Sequence, residues 1–318
     1  MRVLVNEARE LGVDIKLSCQ VSHVDCRTPY VELGTGERIA ADVVIGADGL
    51  NSVVRGDVLG QQVKPVETGD LAYRAIIPRS KVESLDSPVL NPVLYEHHSI
   101  VWWGPDSHAV LYPVRHAAVF NLVLLVPDDL PPDVDKVPGN IDQMKKLFQG
   151  WDPILRELIE QVPSSLKWKL VSFDALETWT SGSCTLLGDA CHPTLPYQAQ
   201  GAAMAVEDGA SIAKLVGLAV KSKASVPQTL QLYERLRKDR TMLNVKGARD
   251  NRALYHARDG EPADRRNAML KDFDWSDTNQ KSAFGFNDPA YQMALMGFDT
   301  VKDAEDAFER EFGTRNLC

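Results

Sequence analysis

The 318-residue sequence predicts an α/β fold: a β-rich insert separates two strand-to-turn segments, and helices follow towards the C-terminus. Three observations carry this. Val43-Val44-Ile45-Gly46 and Thr185-Leu186-Leu187-Gly188 are short apolar runs, each ending at an acidic turn, as buried strands of a parallel sheet do. Between them, from about Val63 to Pro127, apolar stretches are punctuated by Pro, Gly, Asp and Ser. From Gly201 onward the text is helical, first small-residue and then charged.

Taken in order, Leu4, Ala8 and Leu11 recur at helical spacing, with Gly12 as a C-cap. Val13, Ile15, Leu17, Cys19 and Val21 alternate and predict a strand. A hairpin follows, Tyr30–Leu33 against Arg38-Ile39 across Gly34-Thr35-Gly36-Glu37. The Val43–Gly46 run predicts a strand covered on both faces. In the insert, Leu71–Ile77, Ile100–Trp103, Ala109–Val114 and Ala118–Val126 predict an antiparallel or mixed sheet. His97-His98 and Trp102-Trp103 read as strand residues, so the two histidines point to opposite faces. Pro127–Gly139 is a Pro/Asp-rich loop, Ile141–Gln161 a helix interrupted at Pro153, and Gly201–Val220 a long small-residue helix. These elements divide the chain at 1–62, 63–170, 171–245 and 246–318, and the last seventy residues offer no functional argument.

Composition narrows the partners. With 44% hydrophobic residues the chain can bury a core, and its net charge of −9, with no basic stripe, argues against nucleic acid or an acidic membrane surface. No apolar run is long enough to span a bilayer, and Arg2, Glu7 and Glu10 replace the apolar core of a signal peptide. Cys19, Cys26, Cys184, Cys191 and Cys318 form no C-x-x-C pair, which fits a reducing, cytoplasmic setting. No set of ligands is spaced for a metal.

Two turns carry chemistry. In Val43-Val44-Ile45-Gly46-Ala47-Asp48-Gly49-Leu50-Asn51-Ser52-Val53-Val54-Arg55, Asp48 can accept from a sugar or polyol hydroxyl and Gly49 admits close backbone approach. The plainer alternative is a turn in which Asp48 or Ser52 caps a helix starting near Val53. In the second, Gly188-Asp189-Ala190-Cys191-His192-Pro193-Thr194-Leu195-Pro196 leads into a helix opening at Gly201-Ala202-Ala203. Such an N-terminus stabilises an anion, and its small residues let a flat ring approach. The plainer alternative is a helix packed closely for steric reasons.

Together these segments resemble the paired FAD motifs of the single-component flavoprotein aromatic hydroxylases, the salicylate-hydroxylase-like group and its fungal relatives. The first matches at the apolar run, Asp48-Gly49, Ser52 and Arg55; the second at Gly188-Asp189, His192, Pro196 and Gly201, departing at Ala199, where many members carry glycine. Their order, their separation of about 140 residues and the insert between them also fit. The resemblance implies an FAD-binding Rossmann-like domain, here incomplete, with an inserted β-sheet substrate domain and C-terminal helices. It implies that NAD(P)H and O2 serve hydroxylation of a small phenolic or aromatic acid, in secondary metabolism for the fungal type. Asp48, Gly49, Arg55, Gly188, Asp189, Pro196, Gln200, Gly201 and Ala202 are then expected at the cofactor. Arg74 is expected to hold a phenolate or carboxylate and Tyr112 to share a phenolic proton, each with a plain strand role as the alternative. His192 is expected to be structural. The family's G-x-G-x-x-G turn has no counterpart; Gly34-Thr35-Gly36-Glu37-Arg38-Ile39 lacks the third glycine and sits in a hairpin. The expectation is therefore weak FAD retention by this chain, or, alternatively, a non-catalytic protein that binds an aromatic ligand or partner without turnover.

Overall fold

The computed structural model describes residues 2–274, 277, 281–282 and 288–313; Cys318 and part of the C-terminal region lie outside them. α1 (Arg2–Glu10) ends at Gly12, whose φ of +84° is the left-handed turn expected of a C-cap. β1 (Val21–Asp25), β2 (Tyr30–Leu33) and β3 (Arg38–Ala40) form an antiparallel sheet. β4 (Val44–Gly46) leads into α2 (Val53–Leu59). The insert contains β5 (Val66–Pro78), α3 (Arg79–Glu83), α4 (Asn91–Tyr95), β6 (Ile100–Gly104), β7 (Ser107–Val114), β8 (Val119–Pro127), β9 (Lys136–Pro138), α5 (Ile141–Leu147), α6 (Pro153–Glu160) and β10 (Ser165–Ser172). β11 (Thr180–Ser181) and β12 (Cys184–Leu186) follow, then α7 (Gly201–Ser222), α8 (Val226–Tyr255), α9 (Glu261–Lys271), α10 (Pro289–Met296) and α11 (Thr300–Phe312).

One pairing positions the site. β4 and β12 lie side by side and parallel, with Gly46 opposite Leu186, so two turns about 140 residues apart leave the same end of one small sheet. Open α/β sheets bind ligands outside that end. Gly46 allows the close fit: a Cβ there would stand 2.7 Å from Val54 and 3.0 Å from Leu186. Val44, Val54, Cys184, Leu186, Leu215 and Tyr233 share one buried core, which joins this sheet to α2, α7 and α8.

The insert is a six-stranded antiparallel sheet in the order β6-β7-β8-β5-β10-β9. Strand side chains alternate faces, and here the alternation separates two cores. Phe120, Leu122, Leu124 and Val126 of β8, with Ala109 and Leu111 of β7 and Leu71, Tyr73 and Ala75 of β5, pack against Leu90, Met144, Phe148 and Leu155. The intervening Val123 and Leu125, with Ala72 of β5, face Leu195, Tyr197, Ala248 and Tyr255. β8, central and covered on both sides, is therefore apolar almost throughout.

Four sequence expectations change. The alternating stretch from Val13 is not a strand until Val21: Val13 and Leu17 are 54% and 75% exposed, and Ser18 turns to φ +58°. No described strand pairs with it, and alternation without a ladder leaves the backbone unsatisfied. β4 is the edge strand of its sheet and is not covered on both faces, since Ile45 is 41% exposed. His97 and His98 lie in a loop, because α4 ends at Tyr95 and the Pro92 carbonyl accepts the Glu96 and His98 amides. Finally, Lys136–Pro138 inside the Pro/Asp-rich loop pairs with β10 at the sheet edge, where proline is tolerated.

Candidate active site

The two turns and the inner face of the large sheet enclose a cavity of about 850 Å³. Gly49 enters from the first turn, and Gly188, Asp189 and Pro196 from the second; Gly201 and Ala202 come from the opening of α7. Arg74 of β5, His108 and Tyr112 of β7, and Val123 and Leu125 of β8 supply the opposite wall. Eight of the eleven residues singled out from sequence thus line one space: Gly49, Arg74, Tyr112, Gly188, Asp189, Pro196, Gly201 and Ala202.

The other three stand beside it. Asp48 lines a smaller hollow of about 220 Å³ with residues of β1, β2 and β4, while its neighbours Ala47 and Gly49 line the cavity. Its carboxylate accepts the Val53 and Val54 amides at 2.8 and 3.2 Å and the Ser52 hydroxyl at 2.5 Å. Ser52 Oγ in turn accepts from the Arg55 amide. The capping role weighed for Asp48 and Ser52 is thus what both side chains do here. Arg55, expected at the cofactor, is buried away from the cavity. Its guanidinium donates to the carbonyls of Ala190 (3.2 Å) and Leu50 (2.9 Å) and lies 4.5 Å over the Phe173 ring. Burial pulls its pKa down, opposed by Asp48. It ties the two turns together. Gln200 is the N-cap residue of α7, whose side chain makes no capping bond.

The backbone of the second turn and of α7 is shaped for a flat, anionic ligand. α7 begins without a side-chain cap, so the amides of its first turn have no capping partner. Gly188 takes φ +63°, and Ala199 occupies the left-handed region at φ +53°, which explains why glycine suits that position. Ala202 and Ala205 keep the wall flat. Asp189 faces the cavity with its carboxyl pKa raised by burial, against the pull of His192. These residues fit the ring and ribityl portions of FAD. Behind them, Asp208 of α7 accepts from the Gly188 amide (3.1 Å), His192 Nε2 (2.5 Å) and Arg237 Nε (2.8 Å). His192 is thereby fixed and buried, with its Nδ1 unpartnered among the described residues.

On the substrate side, Arg74 stacks over Trp168 at 4.6 Å and forms no ion pair among the described residues. Tyr112 oxygen accepts from Asn121 across the β7–β8 ladder, leaving its hydroxyl hydrogen free for a ligand. Sequence reasoning missed His108. It shares the cavity face of β7 with Val110 and Tyr112, is 2% exposed, and its Nδ1 lies 2.8 Å from Nε2 of His256. Burial and His256 hold its pKa well below the usual histidine value. Period two from Tyr112 was the available signal. Also missed was the layer beneath: Tyr197 donates to Asp70, which Arg252 grips through Nε and Nη2, and Tyr255 stacks on Trp103.

Residues 1–248 match the family model described as FAD binding domain. The chain is 37% identical over 311 residues to the FAD-dependent monooxygenase OpS4 of Beauveria bassiana, covering 96% of this chain and 71% of that protein. It is 34% identical to the FAD-dependent monooxygenase atnJ of an Arthrinium species, covering 84% of this chain and 64% of the relative. A 6-hydroxynicotinate 3-monooxygenase of Bordetella bronchiseptica is also 34% identical, over 80% of this chain and 59% of its own. The fold is shared with a salicylate hydroxylase solved with its substrate, at a TM-score of 0.78 and 24% identity over 96% of this chain and 74% of that one. No described helix is long and apolar enough to cross a membrane.

Proposed function

Because this chain belongs to the FAD-dependent monooxygenases, a family of aromatic hydroxylases whose cofactor is FAD, we propose that it serves oxygenation of a phenolic aromatic acid in secondary metabolism. The observation that carries this is the single cavity in which Asp189 and the α7 N-terminus confront Arg74, His108 and Tyr112. When bound, FAD reduced by NAD(P)H activates O2 and supplies the electrophilic oxygen that an electron-rich ring accepts.

The protein's part is binding, orientation and proton control. Asp189 bonds the ribityl chain, while Gly49, Gly188, Pro196, Gly201, Ala202 and the Gln200 backbone meet the ring. The α7 dipole favours the negative charge of a reduced flavin. Asp48 and Arg55 act one step removed, holding the two turns in register. Arg74 pairs with the ligand's carboxylate or phenolate. Tyr112 donates to the ring substituent, and His108, neutral and buried, accepts the phenolic proton at Nε2, which has no partner among the described residues. Val110, Val123, Leu125 and Leu187 exclude water. In this reading, residues 1–62 and 171–245 serve the flavin and 63–170 the substrate. The four described cysteines are free thiols, which supports a cytoplasmic setting.

The test is an absorption spectrum of the 318-residue protein with excess FAD, before and after desalting. NAD(P)H oxidation over a panel of phenolic acids follows, with products identified by mass. We expect a flavin band with excess FAD, and substrate-dependent gain of one oxygen while FAD is saturating. Peroxide release without oxygenated product refutes the hydroxylase assignment.

A further inference from the structure

His108 and His256 come from different parts of the chain, β7 and the C-cap of α8, yet their rings meet at 2.8 Å, Nδ1 to Nε2. His108 lines the cavity, whereas His256 does not and lies at the rim of the buried layer, 9% exposed. Neither ring bonds a carboxylate among the described residues. Nε2 of His108 and Nδ1 of His256, the outer nitrogens of the pair, have no protein partner among the described residues. Two imidazoles bonded nitrogen to nitrogen, open at both ends, form a chain that can accept a proton at one end and release one at the other.

We propose that His256 is the second station of a proton path that starts at His108 and discharges a ligand bound in the cavity. The inference rests on the phenol reading above. In the resting pair His108 carries its hydrogen on Nδ1 and donates it to Nε2 of His256, whose own hydrogen is on Nδ1. The ligand hydroxyl gives its proton to Nε2 of His108. The Nδ1 hydrogen of His108 passes to His256 Nε2, and the His256 Nδ1 hydrogen leaves to water. One proton enters and one leaves, both tautomers invert, and the reverse passage returns a proton to the product oxygen. The groups facing the pair favour neutral transit. Asp70 of β5 is neutralised by Arg252 of α8 and bonded by Tyr197; Asp106, in the β6–β7 turn, is paired with Arg258. Tyr255 packs edge-on to His108. The backbone also fixes the exit, since the Asp106 amide donates to the His256 carbonyl at 3.2 Å.

The test uses a nitrophenolic acid whose phenolate absorbs visibly, mixed with FAD-saturated protein at a pH where the free ligand is a phenol. Phenolate formation is followed by difference absorbance in a stopped-flow instrument. We expect His256→Ala to slow it at least tenfold, less than the about 10²–10⁴ of a full general acid–base because His256 acts through His108, and added imidazole, which fits the vacated space, to restore it. A variant that ionises the probe as fast as the parent, or is not rescued, overturns the relay. Should the variant fail to fold, ¹⁵N-histidine NMR of the unmodified protein decides. Ligand binding should invert the tautomers of His108 and His256 together; a His256 signal that ignores the ligand overturns the proposal. A probe bound without ionising in the parent protein removes the phenol reading and the relay with it. Ionisation indifferent to His256 removes the relay alone.

Discussion

Replacing Asp208 with alanine removes the acceptor at which the second turn, α7 and α8 converge. The carboxylate is fully buried, and its three partners are the Gly188 amide, His192 Nε2 and Arg237 Nε. Removing one partner of a buried ion pair costs about 3–5 kcal/mol, because the other charge stays desolvated. Arg237 keeps Glu207 at 2.7 Å and Thr300 at 3.3 Å, so the lower end applies, about 3 kcal/mol. For a domain of roughly 150–250 residues this lowers Tm by about 6–12 °C. Asp208→Asn, which retains shape and one acceptor, should lose about half as much. Urea unfolding followed by circular dichroism at pH 7 measures both. An alanine variant within about 1 kcal/mol of the parent refutes the brace. The pH dependence adds a sign. Burial pushes the Asp208 pKa up, but His192 and Arg237 outweigh it, so the folded value lies below the unfolded 3.8. The contribution is therefore complete above pH 3.8, and the gap between parent and variant closes as pH falls towards the folded value.

Three further outcomes are expected. Arg74→Gln should raise KM for carboxylated phenols about tenfold, the cost of one charge-assisted contact at a half-open site, and leave uncharged phenols unchanged; equal effects on both ligands count against an anion contact. Ala199→Gly should leave Tm unchanged or slightly higher, since relief of a left-handed alanine, about 1 kcal/mol, offsets the added chain entropy of glycine; a clear loss refutes the strain. His108 and His256 both have folded pKa values below the ordinary 6.5, each mainly through burial. The unfolded chain thus binds more protons in mild acid, and stability should begin to fall as pH drops below about 6.5. His108→Gln should flatten that slope in a pH series of denaturation midpoints.

Much of this site was legible because its chemistry sits in short, local patterns. Val43–Gly46 and Thr185–Gly188 announce strands, and the turns after them carry their own residue types, so eight cavity residues could be named without coordinates. The large sheet was legible for the same reason, since period two needs only neighbours along the chain. What failed were features set by distant partners. The alternation at Val13–Val21 is as regular as any in the chain, but a strand exists only where another strand pairs with it. Arg55 reads as a cofactor ligand by position, and only packing reveals its reach to Ala190. His256 lies in a region whose sequence offered no functional pattern; 148 residues separate it from His108, and only the fold brings the rings together.

The separation of the insert into two cores has a consequence for how this protein can change. Val110, Val123 and Leu125 alternate along their strands with Leu111, Leu122 and Leu124, and only the first three line the cavity. Ligand contact is thus confined to one face of these strands, which Val123 and Leu125 share with their packing on Leu195 and Tyr255, one residue away from the face packed on the outer helices. A library varying Arg74, Val110, Tyr112, Val123 and Leu125 could explore new aromatic shapes while the layer that holds the sheet to its outer helices stays fixed. Natural drift has the same freedom. Relatives that share this scaffold can therefore diverge in the molecule they accept while paying little in foldability.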